Sequence, residues 1–306
     1  MNTLSTHVDD YLALRRALGF KLEREGRWLA ELAAYVDAAG GGTLTSELAI
    51  AWASERGSAG PNGWAKRLGV ARKFATYLQA ILPATEVPPP GVFPARRHRP
   101  TPYLWSPEDI RGLLDGARAL RSPLRGATHE AIFGLLAATG MRIGEAIGLE
   151  RNDVDLGAGV ITIRHAKFDR PRFVPLHATV TAALERYTAE RDRLCPRPRS
   201  TAFFVSSVGT RLNRSGVAKT LRQITTEMGI RTETVHPRLH DLRHSFAVRT
   251  LIEWQRSGVS VDEEIGVLST YLGHVSPAGT YWYLSASPEL MALAAERLDA
   301  PFGATR

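Results

Sequence analysis

Through the first third of the chain, apolar residues recur at three- and four-residue intervals, the spacing of one buried face on an α-helix. The pattern predicts helices over about 8–18, 23–37, 46–55 and 62–82. Thr45 and Ser46 stand ahead of the third apolar run as N-cap residues, and Gly40-Gly41-Gly42 breaks the chain before it. In the fourth helix Trp64, Leu68, Ala71, Phe74, Ala75 and Leu78 form the core face, while Lys66, Arg67 and Lys73 fall off it. Pattern alone leaves those three either on a solvated basic face or along a phosphate backbone.

Residues 83–102 then hold seven prolines among twenty positions, with Arg96-Arg97-His98-Arg99 inside. Such a stretch does not continue a helix and is expected as a semi-rigid extended spacer. Beyond it, Ser106-Pro107-Glu108-Asp109 reads as an N-cap, a first-turn proline and first-turn acids. A buried helix over 132–138 leads to a turn at Gly140. Alternating apolar residues on both sides of Phe168-Asp169-Arg170-Pro171 predict a β-hairpin. A helix over 178–194, a short strand over 202–205 and a helix over 213–228 follow. The fold class is mainly α with a small β-sheet or hairpin (α+β). It comprises a helical domain over 1–82, a linker over 83–102 and a larger domain over 103–306.

A length of 306 residues fits about two domains with a sizeable core, and 44% hydrophobic with 23% charged residues is ordinary for a globular chain. No apolar run is long enough for a membrane span and the N-terminus lacks a signal-peptide core, so a cytoplasmic location is expected. The single cysteine, Cys195, excludes an internal disulfide and a cysteine-cluster metal site. A net charge of +8, shared as +4 by residues 1–100 and +4 by 101–306, favours a polyanionic partner. Lys66, Arg67 and Lys73, then Arg96, Arg97 and Arg99, and finally Arg214, Lys219 and Arg222 are the candidate contacts to a nucleic-acid backbone.

The candidate chemistry lies in four segments. His240 and Arg243 are i and i+3 on a predicted helix, so both can reach one ligand. A guanidinium matches two phosphate oxygens, and a neighbouring imidazole can exchange a proton near neutrality. Arg142, just past the Gly140 turn, stands at the start of a short helix, where free N–H groups favour an anion. Lys167 flanks the hairpin turn, and Leu272-Gly273-His274 precedes Tyr283 by nine residues counted from His274. A metal reading of His236, His240 and His244 is weak. Pro237 separates the first from the helix, no acid stands at ligand spacing, and Arg243 would repel a cation.

These segments resemble the tyrosine recombinase (phage integrase) family, from about Trp105 to Leu298. By that resemblance Arg142 and Arg243 are the catalytic arginines, Glu145 the supporting acid, Lys167 the hairpin lysine, His240 and His274 the histidines, and Tyr283 the nucleophile. The resemblance implies a site-specific recombinase or transposase, cutting and rejoining double-stranded DNA through a 3′-phosphotyrosyl intermediate without metal, ATP or other cofactor. It also implies a DNA-gripping helical domain at the N-terminus and a homotetramer on paired sites, with sister recombinases in some systems. The tail further resembles the transposon-borne recombinase-in-trio subgroup. A relaxing topoisomerase with the same chemistry and a silent DNA-binding regulator are the alternatives. One departure is the 30-residue gap between Arg243 and His274, whose surplus over 256–264 is expected as a longer inter-helix loop and helix start.

Overall fold

Four helices, α1 (Leu4–Ala17), α2 (Glu23–Ala38), α3 (Ser46–Ser54) and α4 (Gly60–Gln79), bury their apolar stripes against one another around Leu29, Leu32, Trp52, Phe74 and Leu78. The computed structural model describes residues 4–40, 42–55, 60–94, 101–164, 171–274, 276, 278–285, 290 and 292. Thr45 caps α3 as expected, its hydroxyl accepting the Leu48 N–H at 3.2 Å.

In α4, Trp64 is only partly buried and Arg67 takes a core position, 3% exposed. Its guanidinium donates to the Trp52 carbonyl at 3.1 Å, pairs with Glu31 at 3.3 Å and lies 4.0 Å above the Trp52 ring. The expectation that Arg67 faces a phosphate is therefore corrected. Arg67, Ala71, Phe74 and Leu78 follow the i, i+4, i+7, i+11 spacing of one helical stripe, so geometry turns Arg67 inward once its charge is paired. Lys66 and Lys73 stay exposed.

The proline-rich stretch is not free along its first half. Arg72 donates to the Pro88 and Pro89 carbonyls at 2.8 and 2.6 Å, Glu86 accepts the Ser46 N–H at 2.8 Å, and Phe93 packs edge-on against Trp64. The chain divides into two units, Met1–Arg99 and Pro100–Arg306.

The second unit begins with α5 (Pro107–Arg118), where Ser106 and Asp109 cap each other's backbone, as the sequence predicts. Helix α6 (Pro123–Thr139) is longer than its apolar run implied and forms the buried centre. After α7 (Ile143–Gly148), strands β1 (Val154–Asp155), β2 (Val160–Ile163) and β3 (Arg172–Pro175) make an antiparallel sheet in the order β1-β2-β3, one strand more than the hairpin expected. The register pairs Ile163 with Arg172, so Arg172 lies at the root of the connection between β2 and β3. Helices α8 (Ala178–Leu194), α9 (Arg214–Glu227), α10 (Leu239–Arg256), α11 (Val261–Leu272) and α12 (Ala278–Tyr281) follow, and α12 runs into a 3-10 turn, Trp282–Ser285.

One expectation changes here and another is met. Residues 202–205 form only isolated bridges at Ala202 and Val205. In place of a full ladder, the Phe203 N–H donates to the Leu149 carbonyl at 2.8 Å and side chains take up other backbone groups. Arg191 and Tyr187 donate to the Phe203 carbonyl at 2.8 and 3.3 Å, and Thr128 donates to Val205 O at 3.0 Å. The surplus over 256–264 holds the end of α10 at Arg256, the connection 257–260 and the start of α11 at Val261, so the loop and helix start expected there are both present. Among the described residues no helix is long and apolar enough to cross a membrane.

Gly140 ends α6 in the left-handed region, with φ 61°, and a Cβ built there would lie 2.6 Å from the Phe246 ring. Gly258, at φ 77°, has no atom within 4 Å of such a Cβ. Alanine at either site costs about 1–2 kcal/mol of backbone strain. Gly140→Ala should lower the denaturant midpoint of the full chain more than Gly258→Ala. Equal midpoints would show that the Phe246 contact is yielding.

Candidate active site

Helix α10 starts at a cap built by its own charges. Asp241, buried, accepts the Arg238 backbone N–H at 2.8 Å and the Arg238 guanidinium at 2.7 Å. This fixes the first turn, which carries His240, and sets Arg243 one turn on with 1% exposure. Arg243 donates through Nη1 to the Gly140 carbonyl at 2.8 Å and through Nη2 to the Leu272 carbonyl at 2.7 Å. Its Nε–H has no acceptor among the described residues.

The Leu272 carbonyl is one of three at the C-terminal end of α11, which Gly273 closes with φ 66°. Arg142 donates to Leu272 O at 3.4 Å and Gly273 O at 2.9 Å, and Arg172 donates to Tyr271 O at 2.9 Å. Three guanidiniums thus gather on one helix end, whose carbonyls carry the negative end of the helix dipole. Glu145 completes the frame. One of its oxygens accepts Arg142 Nη1 at 2.9 Å, and the other accepts the Arg142 backbone N–H at 2.9 Å and Arg172 Nη2 at 2.8 Å. The anion that the N–H groups at the start of α7 favour is met in this structure by the chain's own Glu145 carboxylate. Arg142 keeps 39% of its side chain exposed.

Sequence reasoning did not assign Arg172. Its signal was available, since it begins the strand that ends the hairpin and is the basic residue before Val174-Pro175-Leu176. Its role in the frame depends on contacts remote in sequence.

Tyr283, on the 3-10 turn, is 2% exposed. Its ring lies 5.3 Å from His244 and 6.0 Å from His274, and its hydroxyl lies beside the Arg243 guanidinium, whose charge it favours. His244 in turn packs 4.5 Å from His240. His274 Nδ1 is 2.7 Å from the hydroxyl of Thr280, a buried residue the sequence reading passed over. Tyr271 stacks on Phe246 at 5.6 Å and so packs in the core, while Tyr281 is 46% exposed.

The electrostatics are those of a site awaiting an anion. Burial, then the charges of Arg243, Arg142, His240 and Arg172, push the His274 pKa down to about 4. Burial and Arg243 also lower that of His240, against an opposing pull from Asp241. Both imidazoles are held toward the neutral form beside permanent cations. Such a cluster can grip a tetrahedral oxyanion, accept or donate single protons, and present a phenol oxygen to the bound group.

The structure brings Arg142, Glu145, His240, Arg243, His274 and Tyr283 together. Lys167 lies outside the described residues, as do Arg96, Arg97 and Arg99. Arg214, Lys219 and Arg222 are exposed on α9, which packs against α5 and α7. Among the described residues no group of three or more His, Cys, Asp or Glu is placed to hold a metal ion.

Residues 106–289 match the model of the Phage integrase family. The chain is 42% identical over 307 residues to a Sinorhizobium fredii protein named as an integrase/recombinase, y4rB, with 98% of each covered. It is 33% identical over 190 residues to the tyrosine recombinase XerD of Oceanobacillus iheyensis, covering 61% of this chain and 59% of that one. Among solved structures, the Tn1549 transposon integrase in complex with transposon right end DNA aligns with TM-score 0.65 at 16% identity, over 98% of this chain and 100% of that one. The XerH site-specific recombinase bound to difH aligns with TM-score 0.61 at 19% identity, over 90% and 79%. At these identities the two structures establish a shared fold.

The depressed pKa of His274 has a signed consequence. Its unfolded value, near 6.5, lies above its folded value of about 4, so the folded state binds fewer protons between them. The stability it contributes is present above the unfolded value and is lost as pH falls through about 4. The His274 ring protons should titrate near 4 by NMR, and His274→Gln should flatten the acid limb of stability against pH; a titration near 6.5 would refute this.

Proposed function

This chain belongs to the phage integrase family and is a site-specific DNA recombinase, and we propose that it cuts and rejoins each strand through Tyr283, with Arg142, Arg243, His240 and His274 around the scissile phosphate. The observation that carries this reading is the burial of Tyr283 with its hydroxyl beside Arg243, between the rings of His244 and His274.

In the forward step the Tyr283 oxygen attacks phosphorus while His240, held toward its neutral form, takes the phenolic proton. Arg142 and Arg243 hold the non-bridging oxygens and offset the charge that grows on them. The bond to the 5′ oxygen breaks, and that oxygen leaves with a proton that the family resemblance assigns to Lys167. A 3′-phosphotyrosyl link and a free 5′ hydroxyl result. A 5′ hydroxyl from a partner duplex reverses the step, so bond energy is kept and rejoining needs no ATP. Glu145 orients Arg142 and Arg172 and takes no part in bond making. Arg172 is the third member of the charged frame, holding Glu145 and the end of α11.

The reading extends to assembly. Residues 1–82 serve as the core-binding domain, Arg96, Arg97 and Arg99 run past the phosphates, and Lys66, Lys73, Arg214, Lys219 and Arg222 contact the DNA backbone. Four protomers on two sites exchange strands pairwise. The transposon-borne subgroup is the best-fitting branch.

A duplex nicked beside the cleavage position, which traps the covalent adduct, tests the chemistry. Peptide mapping should place the DNA on Tyr283. Tyr283→Phe should abolish the adduct and Tyr281→Phe should keep it, while Arg243→Ala should slow its formation by about 10²-fold or more with site binding retained. An adduct on Tyr281, or near-normal cleavage by Arg243→Ala, would overturn the assignment.

Salt dependence tests the contacts of α4. Each phosphate contact adds roughly 0.9 to the slope of log affinity against log salt, so the Lys66→Ala/Lys73→Ala double variant should lose about 2 from that slope. Arg67→Ala should leave the slope alone and lower the melting temperature instead. The reverse pattern would exchange their roles.

A further inference from the structure

Thr280 is 0% exposed, and its hydroxyl lies 2.7 Å from Nδ1 of His274. Two placements of hydrogen fit that distance. Either the hydroxyl donates to a bare Nδ1, or an Nδ1–H donates to the hydroxyl oxygen. In the second case the hydroxyl hydrogen needs another acceptor, and a buried donor without one loses its hydration with nothing to replace it. Three other helical threonines have such an acceptor four residues back: Thr139 donates to Leu135 O, Thr250 to Phe246 O and Thr270 to Gly266 O. Thr280 stands on the four-residue helix α12, and its hydrogen-bond partner among the described residues is His274.

We propose that Thr280 is a positioning residue, whose hydroxyl donates to Nδ1 of His274 and so fixes the imidazole proton on Nε2. His274 then meets the scissile phosphate as a neutral hydrogen-bond donor. The charged and titratable groups that act on the ring are Arg243, Arg142, His240 and Arg172, and together with burial they keep it from taking a second proton. Charge compensation at the site thus falls to the arginines, and His274 adds a directed N–H. Thr280 also stands three residues before Tyr283, so the same bond ties the nucleophile's segment to the histidine its ring stacks on. The meeting with phosphate rests on the recombinase reading; the tautomer does not.

The full-length protein tests this with two readouts. Long-range 1H–15N NMR of His274 near pH 7 reports which ring nitrogen carries hydrogen, and adduct formation on the nicked duplex reports cleavage. The native chain and Thr280→Ser should show the Nε2–H form. Thr280→Val, which keeps the shape and removes the hydroxyl, should shift His274 toward Nδ1–H and slow cleavage by on the order of a hundredfold, with site binding unchanged. Recovery of cleavage by Thr280→Ser separates the hydroxyl from mere packing. An Nδ1–H form in the native chain overturns the proposal without any variant, which keeps it testable should Thr280→Val fold poorly. A Thr280→Val protein with native tautomer overturns it too, whether cleavage is normal or slow. Absence of any adduct from the native chain would instead defeat the recombinase reading, and the NMR result would still decide the role of Thr280.

Discussion

The active-site end of this molecule depends on the C-terminal carbonyls of α11. Three guanidiniums brought this close repel one another, and each loses hydration on burial. The carbonyls of Tyr271, Leu272 and Gly273 offset both costs by accepting from Arg172, Arg243 and Arg142. Gly273 makes this possible, because its left-handed backbone ends the helix and leaves those carbonyls facing away from it. Glu145 supplies the one carboxylate of the frame and ties Arg142 to Arg172. The cluster is assembled mostly with dipoles, so excess positive charge is retained for an incoming phosphate.

That excess explains the behaviour of the neighbouring imidazoles. A histidine among permanent cations is a poor cation, and burial pushes the same way. His240 and His274 are therefore driven toward neutrality, which suits a proton acceptor in the first case and a single directed donor in the second. Division of labour follows from electrostatics: permanent charge from arginine, proton movement and direction from histidine.

The segment bearing Tyr283 gains its place from packing. Its ring belongs to a small cluster with Val248, Leu251, Leu268 and Leu272, built on α10 and α11. The two helices that carry Arg243 and lead to His274 therefore also hold the nucleophile candidate, so a shift in either helix would reach all three groups.

Much of this was legible in the residues alone. Helical periodicity gave the four N-terminal helices, the Ser106 cap gave the start of α5, and the spacing from His240 to Tyr283, with the family resemblance that added Arg142 and Glu145, marked six residues that the structure brings together. What those signals share is locality: a cap, a stripe or a motif is written within a few neighbouring positions. The inward turn of Arg67, the assignment of Arg172 and the hydrogen bond of Thr280 were not legible in that way. Arg67 broke the rule that charge marks the outer face, because Glu31 and Trp52 waited across the bundle to receive it. Arg172 acquired its role from the end of a helix 99 residues further on. Sequence fixes which groups a chain can offer, whereas the partner that settles a buried charge or a buried hydroxyl comes from another element, and only packing brings it within hydrogen-bonding distance.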